Sequence, residues 1–345
     1  MGLPKESKIV LTRKYKSGPS NQITDVEGVS VGHVTIEHPE DNIYTGVTAI
    51  LPHQGNLFQE KVMASSSVIN GFGKTAGLVQ VEELGTIESP IIMTNTLSVG
   101  TALTASVKYM LEKNKDIGVK TGTVNCLVTE CNDGSLNDIR GLHVKEEHVM
   151  EALKYAELAG EKKVGFEEGA VGAGRGMICM GLKGGIGSAS RVISSDNNDY
   201  TIGAMVLSNF GNKGYLRIDG ALVDTLPQPA AEKGSIIIVL ATDLPLSERQ
   251  LKRVAKRATV SLARVGSYLG NGSGDIAIAF TTANKVPHYA KTEILDMKMF
   301  ADSSIDKVFE ATAEAVEEAV ISSMWYADGM IGIRDKEVKG LRDIL

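Results

Sequence analysis

Cysteine, aromatic residues and long apolar runs are all scarce in this sequence. The three cysteines (Cys126, Cys131 and Cys179) are an odd number in a chain of 345 residues, which predicts buried free thiols in a reducing compartment rather than a disulfide framework. The N-terminal stretch has no apolar core of a secretory signal. No run approaches 18 uninterrupted apolar residues, so we expect no membrane span and a cytoplasmic location.

Positive charge is also in deficit, with 36 basic against 42 acidic side chains and a net charge of −6. A general nucleic-acid binder needs a basic face, so we expect no nucleic-acid partner. The hydrophobic fraction of 43% is enough for a substantial core. Glycine is in excess, with 37 residues, which predicts many turns or close backbone approaches.

Apolar patterning predicts strands and helices in irregular alternation, as in an α/β or layered α+β domain. The run Ser235–Thr242 would place apolar residues on both faces of a strand, as expected of a strand buried between two layers. Ser247 and Gln250 resemble a capping box that begins a helix. Further strands are predicted at 46–51, 90–94, 124–129, 200–208 and 276–281, and further helices at 98–113, 145–158 and 304–325.

Three local motifs look like cofactor or metal sites but fail on spacing. The segment 71–75 (GFGKT) ends like a phosphate loop, yet Val68 stands where that loop needs glycine. The segment 169–176 (GAVGAGRG) has Met177 where a dinucleotide loop needs its last glycine, so a flexible loop packed against backbone is the better interpretation. His143 and His148 are five residues apart, not four as on a zinc-binding helix. We therefore predict neither a metal nor a cofactor.

One feature does suggest chemistry. Gly234 and Ser235 end a polar loop (230–235, AAEKGS) just where the buried strand begins. A self-cleaving precursor has this arrangement: the hydroxyl attacks the preceding carbonyl, and the cleaved chain leaves a serine whose free α-amine can act as its own base. From the spacing alone, an ordinary turn serine is the alternative.

Six stretches in order resemble the DmpA-like peptidases, which comprise L-aminopeptidase/D-amidase/esterases and β-aminopeptidases. The resemblance covers residues from about 20 to 285 and is carried by 23–33 (ITDVEGVSVGH), 94–101 (TNTLSVGT), 130–138 (ECNDGSLND), 208–211 (SNFG), 234–243 (GSIIIVLATD) and 272–275 (GSGD). It implies an α+β fold, a four-layer αββα sandwich of the type shared with ornithine acetyltransferases and similar to N-terminal-nucleophile hydrolases. It also implies one domain, residues 1–345, cut between Gly234 and Ser235 into an α chain (1–234) and a β chain (235–345).

The resemblance assigns roles residue by residue. Ser235 matches the nucleophile, and Ser273 with Asp275 matches the hydroxyl–carboxylate pair that orients it. Asn209 matches the side-chain amide that stabilises the oxyanion. Glu130 matches the carboxylate that receives the free amine of the substrate, which would make the enzyme an exopeptidase.

We therefore predict a self-processing serine aminopeptidase that releases N-terminal residues from short peptides, amides or esters, working as a homotetramer or larger assembly. The alternatives are an acyltransferase of the ornithine acetyltransferase type, whose nucleophile is threonine, and a non-enzymatic oligomeric binding protein. The chain departs from the family in the run 130–138, where some members carry an aromatic residue that helps to form the active site. This chain has Asn132 and Ser135 there and no aromatic residue in the run.

Overall fold

The computed structural model describes residues 9, 11–223 and 234–345. The first residues of the polar loop predicted before Ser235, 230–233, lie outside the described ranges. Within those ranges, no helix is both long and apolar enough to cross a lipid bilayer.

The elements follow one another in an irregular order, as the sequence predicts. The helices are α1 (Leu78–Leu84), α2 (Val99–Lys113), α3 (Glu146–Lys162), α4 (Glu248–Arg264) and α5 (Asp306–Trp325). The strands are β1 (Ser30–His38), β2 (Ile43–Leu51), β3 (Glu60–Gly71), β4 (Thr86–Ile87), β5 (Ile91–Asn95), β6 (Leu127–Cys131), β7 (Ile178–Cys179), β8 (Leu182–Lys183), β9 (Gly185–Ser195), β10 (Asn198–Asn209), β11 (Arg217–Ile218), β12 (Ala221–Leu222), β13 (Gly234–Thr242), β14 (Ser273–Pro287), β15 (Met330–Gly332) and β16 (Lys336–Val338).

Two sheets form the centre of the molecule. The smaller has the strand order β1-β2-β5-β6, and the larger has the order β4-β3-β14-β13-β10-β9. Helices α2 and α3 pack on the smaller sheet, and α4 and α5 pack on the larger one. The predicted αββα sandwich is confirmed.

Three apolar cores separate the four layers. One lies between the two sheets, one between the smaller sheet and its helices, and one between the larger sheet and α4 and α5. Strand β13 contributes to two of them, because Ile236 and Ile238 face the helices while Ile237 and Val239 face the other sheet. A strand with both faces buried has no place for polar residues, which explains its continuous apolar run.

Other predictions are confirmed at the level of single residues. The side chain of Ser247 accepts a hydrogen bond from the N–H of Gln250 and so caps α4. Cys126, Cys131 and Cys179 are free and buried. Burial raises the pKa of the Cys126 thiol to about 12, so this group is an unreactive core side chain.

Two long strands of the larger sheet, β3 and β9, were not predicted. Their sequences are rich in serine, alanine and glycine and lack the apolar alternation of a half-buried strand. The packing of the helices explains the small residues. A Cβ on Gly187 of β9 would lie 2.0 Å from the carbonyl oxygen of Ala319, which shows that α5 rests directly on the backbone of the strand.

The close approach at Gly187 predicts that an added methyl group destabilises the protein there but not at a glycine whose Cβ position is open. Gly187→Ala should lower the free energy of unfolding by about 1–3 kcal/mol or more, because the backbone of α5 must move. Gly100→Ala is the matched control: no atom lies within 4 Å of its Cβ position in α2, and it should stabilise the protein by up to about 1 kcal/mol. Denaturant unfolding measures both, and equal effects would contradict this packing.

Candidate active site

Ser235 lies at the start of β13, between two strands that hold it from both sides. It is opposite Asn209 of the antiparallel strand β10 and opposite Gly274 of the parallel strand β14. Its side-chain oxygen accepts a hydrogen bond of 3.2 Å from the N–H of Gly274. The residue is buried, with 7% of its surface exposed, and this hydrogen bond orients its hydroxyl group.

Gly234, the residue before it, has a conformation that requires glycine. Its φ of +116° lies in a region that residues with a Cβ rarely adopt. A Cβ would also lie 1.9 Å from the carbonyl oxygen of Asn209. The backbone on the amino side of Ser235 is therefore pressed against the end of β10.

Ser273 and Asp275 form a hydrogen-bonded pair at the start of β14. The hydroxyl of Ser273 donates to Oδ2 of Asp275 at 2.5 Å and accepts from Nδ2 of Asn70 at 3.1 Å. The three-residue run Ser273–Asp275 is part of the strand rather than a tight turn. The register places Ser273 opposite Gly234, and the residue between the pair, Gly274, supplies the bond to Ser235.

Asn209 is the last residue of β10, and both the oxygen and the nitrogen of its side-chain amide are hydrogen-bonded. Its Oδ1 accepts from the N–H of Ile178 at 2.9 Å, and its Nδ2 donates to the carbonyl oxygen of Asn132 at 3.0 Å. An amide nitrogen carries two hydrogens, so one remains for another acceptor. Asn132 lies in the run where the sequence departs from the family, and its backbone carbonyl holds the amide of Asn209. The side chain of Asn132 is exposed and accepts a bond from the N–H of Gly134.

Glu130 on β6 is 2% exposed, and each of its carboxylate oxygens has a donor. The N–H of Lys74 donates to Oε1 at 2.8 Å, and the hydroxyl of Thr96 donates to Oε2. These two donors hold the carboxyl group of Glu130 in one orientation. The site thus contains a buried, oriented carboxylate that can bind a cation.

Several residues at the site were missed by sequence reasoning. Asn70 fixes the Ser273 hydroxyl, and Lys74 and Thr96 fix Glu130. Thr96 belongs to the quoted stretch 94–101, which was the available signal for it. Lys74 belongs to the rejected phosphate-loop segment, whose Phe72 N–H also donates to the carbonyl oxygen of Ser273.

The other rejected motifs have structural uses. His148 accepts a bond from the N–H of Lys145 at the start of α3, and His143 contacts Asp138. In the glycine-rich segment, a Cβ on Gly174 would lie 2.6 Å from the backbone nitrogen of Ile186, so this segment does pack closely against backbone. The described ranges contain no group of three or more His, Cys, Asp or Glu side chains that could hold a metal ion.

Asp133, three residues after Glu130, lies in a buried polar cluster below the site. It accepts a bond of 3.0 Å from Nδ2 of Asn137 and also interacts with Thr45 and Asn95. Burial raises the pKa of its carboxyl group to about 7, and the hydrogen bonds oppose that shift only in part. The carboxyl group therefore changes charge close to neutral pH.

A cavity of about 840 Å³ lies elsewhere in the molecule, beside α3 and β1. His33, Phe166 and Glu168 are among its lining residues, and none of the predicted catalytic residues is. Because no predicted catalytic residue lines this cavity, the candidate active site remains at Ser235, where the predicted catalytic residues lie close together.

The αββα sandwich and the similar proteins together define a class, the serine-type peptidases with an N-terminal-nucleophile-like fold. The sequence model of peptidase family S58 matches residues 21–338. The chain belongs to this family.

Similar proteins agree with that assignment. The chain is 37% identical to the β-peptidyl aminopeptidase BapA of Sphingosinicella microcystinivorans over 94% of this chain and 86% of that one. The PH0078 protein of Pyrococcus horikoshii OT3 is 52% identical, with a TM-score of 0.90 over 97% of this chain and 94% of that one. The L-aminopeptidase D-Ala-esterase/amidase of Ochrobactrum anthropi is 38% identical, with a TM-score of 0.87 over 96% and 93%.

These similarities identify the protein as an aminopeptidase. They give no support to the acyltransferase or to the non-enzymatic binding protein. The structure brings Ser235, Ser273, Asp275 and Asn209 together at one end of the larger sheet, and Glu130 comes from the facing sheet.

The raised pKa of Asp133 predicts a pH-dependent stability. Because folding favours the neutral carboxyl group, its contribution is complete below pH 4 and is lost as the pH rises through 7. Relative to Asp133→Asn, the wild type should therefore lose about 2–4 kcal/mol of unfolding free energy between pH 4 and 8.

Urea unfolding of both proteins across that range measures the difference. Asp196→Asn, at an exposed position, is the control and should follow the wild type. A difference between the wild type and Asp133→Asn that is independent of pH would contradict the buried, titrating carboxyl group.

Proposed function

We propose that the protein is a self-processing aminopeptidase with Ser235 as its nucleophile. The observation that carries this proposal is the geometry at the amino end of β13. A hydroxyl held by Gly274 follows a glycine whose backbone is pressed against Asn209. Both features restrict motion at the bond that would be cut.

In the proposed processing step, Oγ of Ser235 attacks the carbonyl carbon of Gly234. The acyl group moves from nitrogen to oxygen, and the Ser235 nitrogen takes the hydroxyl proton. Water then hydrolyses the ester, releasing the carboxylate of Gly234 and regenerating the hydroxyl. The products are the chains 1–234 and 235–345, the second with a free amine on Ser235.

In the proposed catalytic cycle, that amine accepts the Oγ proton while Oγ attacks the substrate carbonyl. A terminal amine has a pKa of about 7.7–8.0, close to neutral pH. The remaining N–H of Asn209 would donate to the oxyanion. Ser273 and Asp275 would orient the nucleophile through Gly274. The amine then protonates the leaving group, and water releases the acyl group.

Glu130 would bind the free amine of the substrate. Its two donors, the N–H of Lys74 and the hydroxyl of Thr96, hold the side chain in one orientation. An ammonium group bound there places the first peptide bond, and no other, at the nucleophile. This would explain exopeptidase specificity.

We further propose short peptides, amides or esters as substrates, and a cytoplasmic homotetramer or larger assembly. The three unbridged cysteines support a reducing compartment. The segment 294–299 supports an assembly, because Ile294 is 83% exposed and Leu295, Met297 and Met299 are also exposed.

Denaturing gel electrophoresis tests the processing step. The wild type should give bands of about 25 and about 12 kDa from its 36.7 kDa chain, and N-terminal sequencing of the smaller band should yield Ser-Ile-Ile-Ile. Ser235→Ala should remain one inactive chain, because the attacking oxygen is missing. A full-length wild type that still cleaves an aminoacyl anilide would refute self-processing while leaving the aminopeptidase activity intact.

Steady-state kinetics separates the roles of Asn209 and Glu130. Asn209→Ala should lower kcat by about 10²–10³-fold, since its donor acts only in the transition state. Glu130→Gln should chiefly raise KM, by about 10–100-fold, because it removes a charge-assisted bond to the substrate amine. The control is a des-amino substrate, for which Glu130→Gln should have little effect. The roles are wrong if both variants change the same parameter.

A further inference from the structure

The segment 71–75 contacts two parts of the candidate site: the start of β14 and the predicted amine-binding residue Glu130. Its Phe72 N–H bonds to the backbone of Ser273, and its Lys74 N–H bonds to the side chain of Glu130. Gly73 lies between these two contacts. The segment is thus a wall of the active site on the side of β14, whereas Asn209 lies on the side of β10.

A side chain at Gly73 would touch both the predicted amine-binding residue and the strand that holds Ser235. A Cβ there would lie 3.7 Å from Oε1 of Glu130 and 3.7 Å from the Cα of Gly274. The N–H of Gly274 in turn holds Oγ of Ser235 at 3.2 Å. The Cβ position of Gly73 therefore adjoins both the carboxylate of Glu130 and the residue that holds the nucleophile.

The backbone does not require glycine here. Gly73 lies outside the positive-φ region that the structure assigns to Gly77 and Gly234. The nearest obstacle to a Cβ is the terminal Cδ1 of Ile276 at 3.2 Å, the flexible end of a side chain. The fold can therefore accommodate alanine after a shift of a few tenths of an ångström at this end of Ile276.

We propose that Gly73 is a specificity-determining residue of this enzyme. This inference rests on the proposed function, in which Glu130 binds the amine and Ser235 attacks the carbonyl. The atoms that join those two groups of the substrate must then pass Gly73. The missing Cβ makes room for the side chain that they carry, so the site accepts aminoacyl groups larger than glycyl.

The test compares kcat/KM for glycine, alanine and leucine p-nitroanilides. In Gly73→Ala, the ratio of leucyl to glycyl activity should fall at least about tenfold, since one methyl group in a tight pocket has an effect of this size. Gly122→Ala is the control, because Gly122 lies outside the segment 71–75. No atom lies within 4 Å of its Cβ position, so the wild-type ratio should be kept.

A second variant separates folding from specificity. Gly73→Ala with Ile276→Val removes the Cδ1 atom that the new methyl group meets, and it should show the same loss of leucyl activity. A size-independent loss, or a ratio within about twofold of the wild type, would overturn the role of Gly73. A wild type that hydrolyses none of the anilides would overturn the proposed function itself.

Discussion

Strand β13 is hydrogen-bonded to β10 along one edge and to β14 along the other, and the predicted catalytic residues meet at its first residues. The antiparallel edge places Asn209 opposite Ser235. The parallel edge places Gly274 opposite Ser235, with Ser273 and Asp275 on either side of Gly274. Three segments far apart in sequence are thus fixed relative to one another by sheet ladders. Because both faces of β13 are buried in apolar cores, a shift of the strand by one residue would move every side chain to the wrong layer.

Backbone groups supply much of the geometry around the predicted catalytic side chains. The N–H of Gly274 holds Ser235, the N–H of Lys74 holds Glu130, and the N–H of Ile178 with the carbonyl of Asn132 holds the amide of Asn209. Backbone donors in strands and packed turns lose no rotamer freedom when a substrate binds. Such a site is oriented before the substrate arrives.

The apolar patterning of the sequence predicts single elements: the β-branched run of β13 and the capping box of α4 are examples. The αββα layers, and the residues that share the candidate site, are predicted by the resemblance to the DmpA-like peptidases. Strands β3 and β9 could not be found this way. Their serines and glycines reflect contacts with helices distant in sequence, as at Gly187, and no local pattern records such a contact.

The residues that contact the predicted catalytic and binding side chains could not be found from the sequence either. Lys74 acts at the site through its backbone N–H, so its residue type carries no signal, and Gly73 is informative only once Glu130 and Gly274 are seen beside it. The segment resembled a phosphate loop because both uses need small residues and exposed N–H groups. Spacing alone excluded the wrong function without pointing to the right one.

The position of β13 has a consequence for the lifetime of the molecule. A cut before Ser235 would break one covalent bond at the end of a strand whose remaining length stays inside two cores. Once unfolded, however, the two fragments would have to find each other again, and refolding would depend on their concentration. Such a protein persists because it opens slowly, so its durability would be set by a rate rather than by an equilibrium.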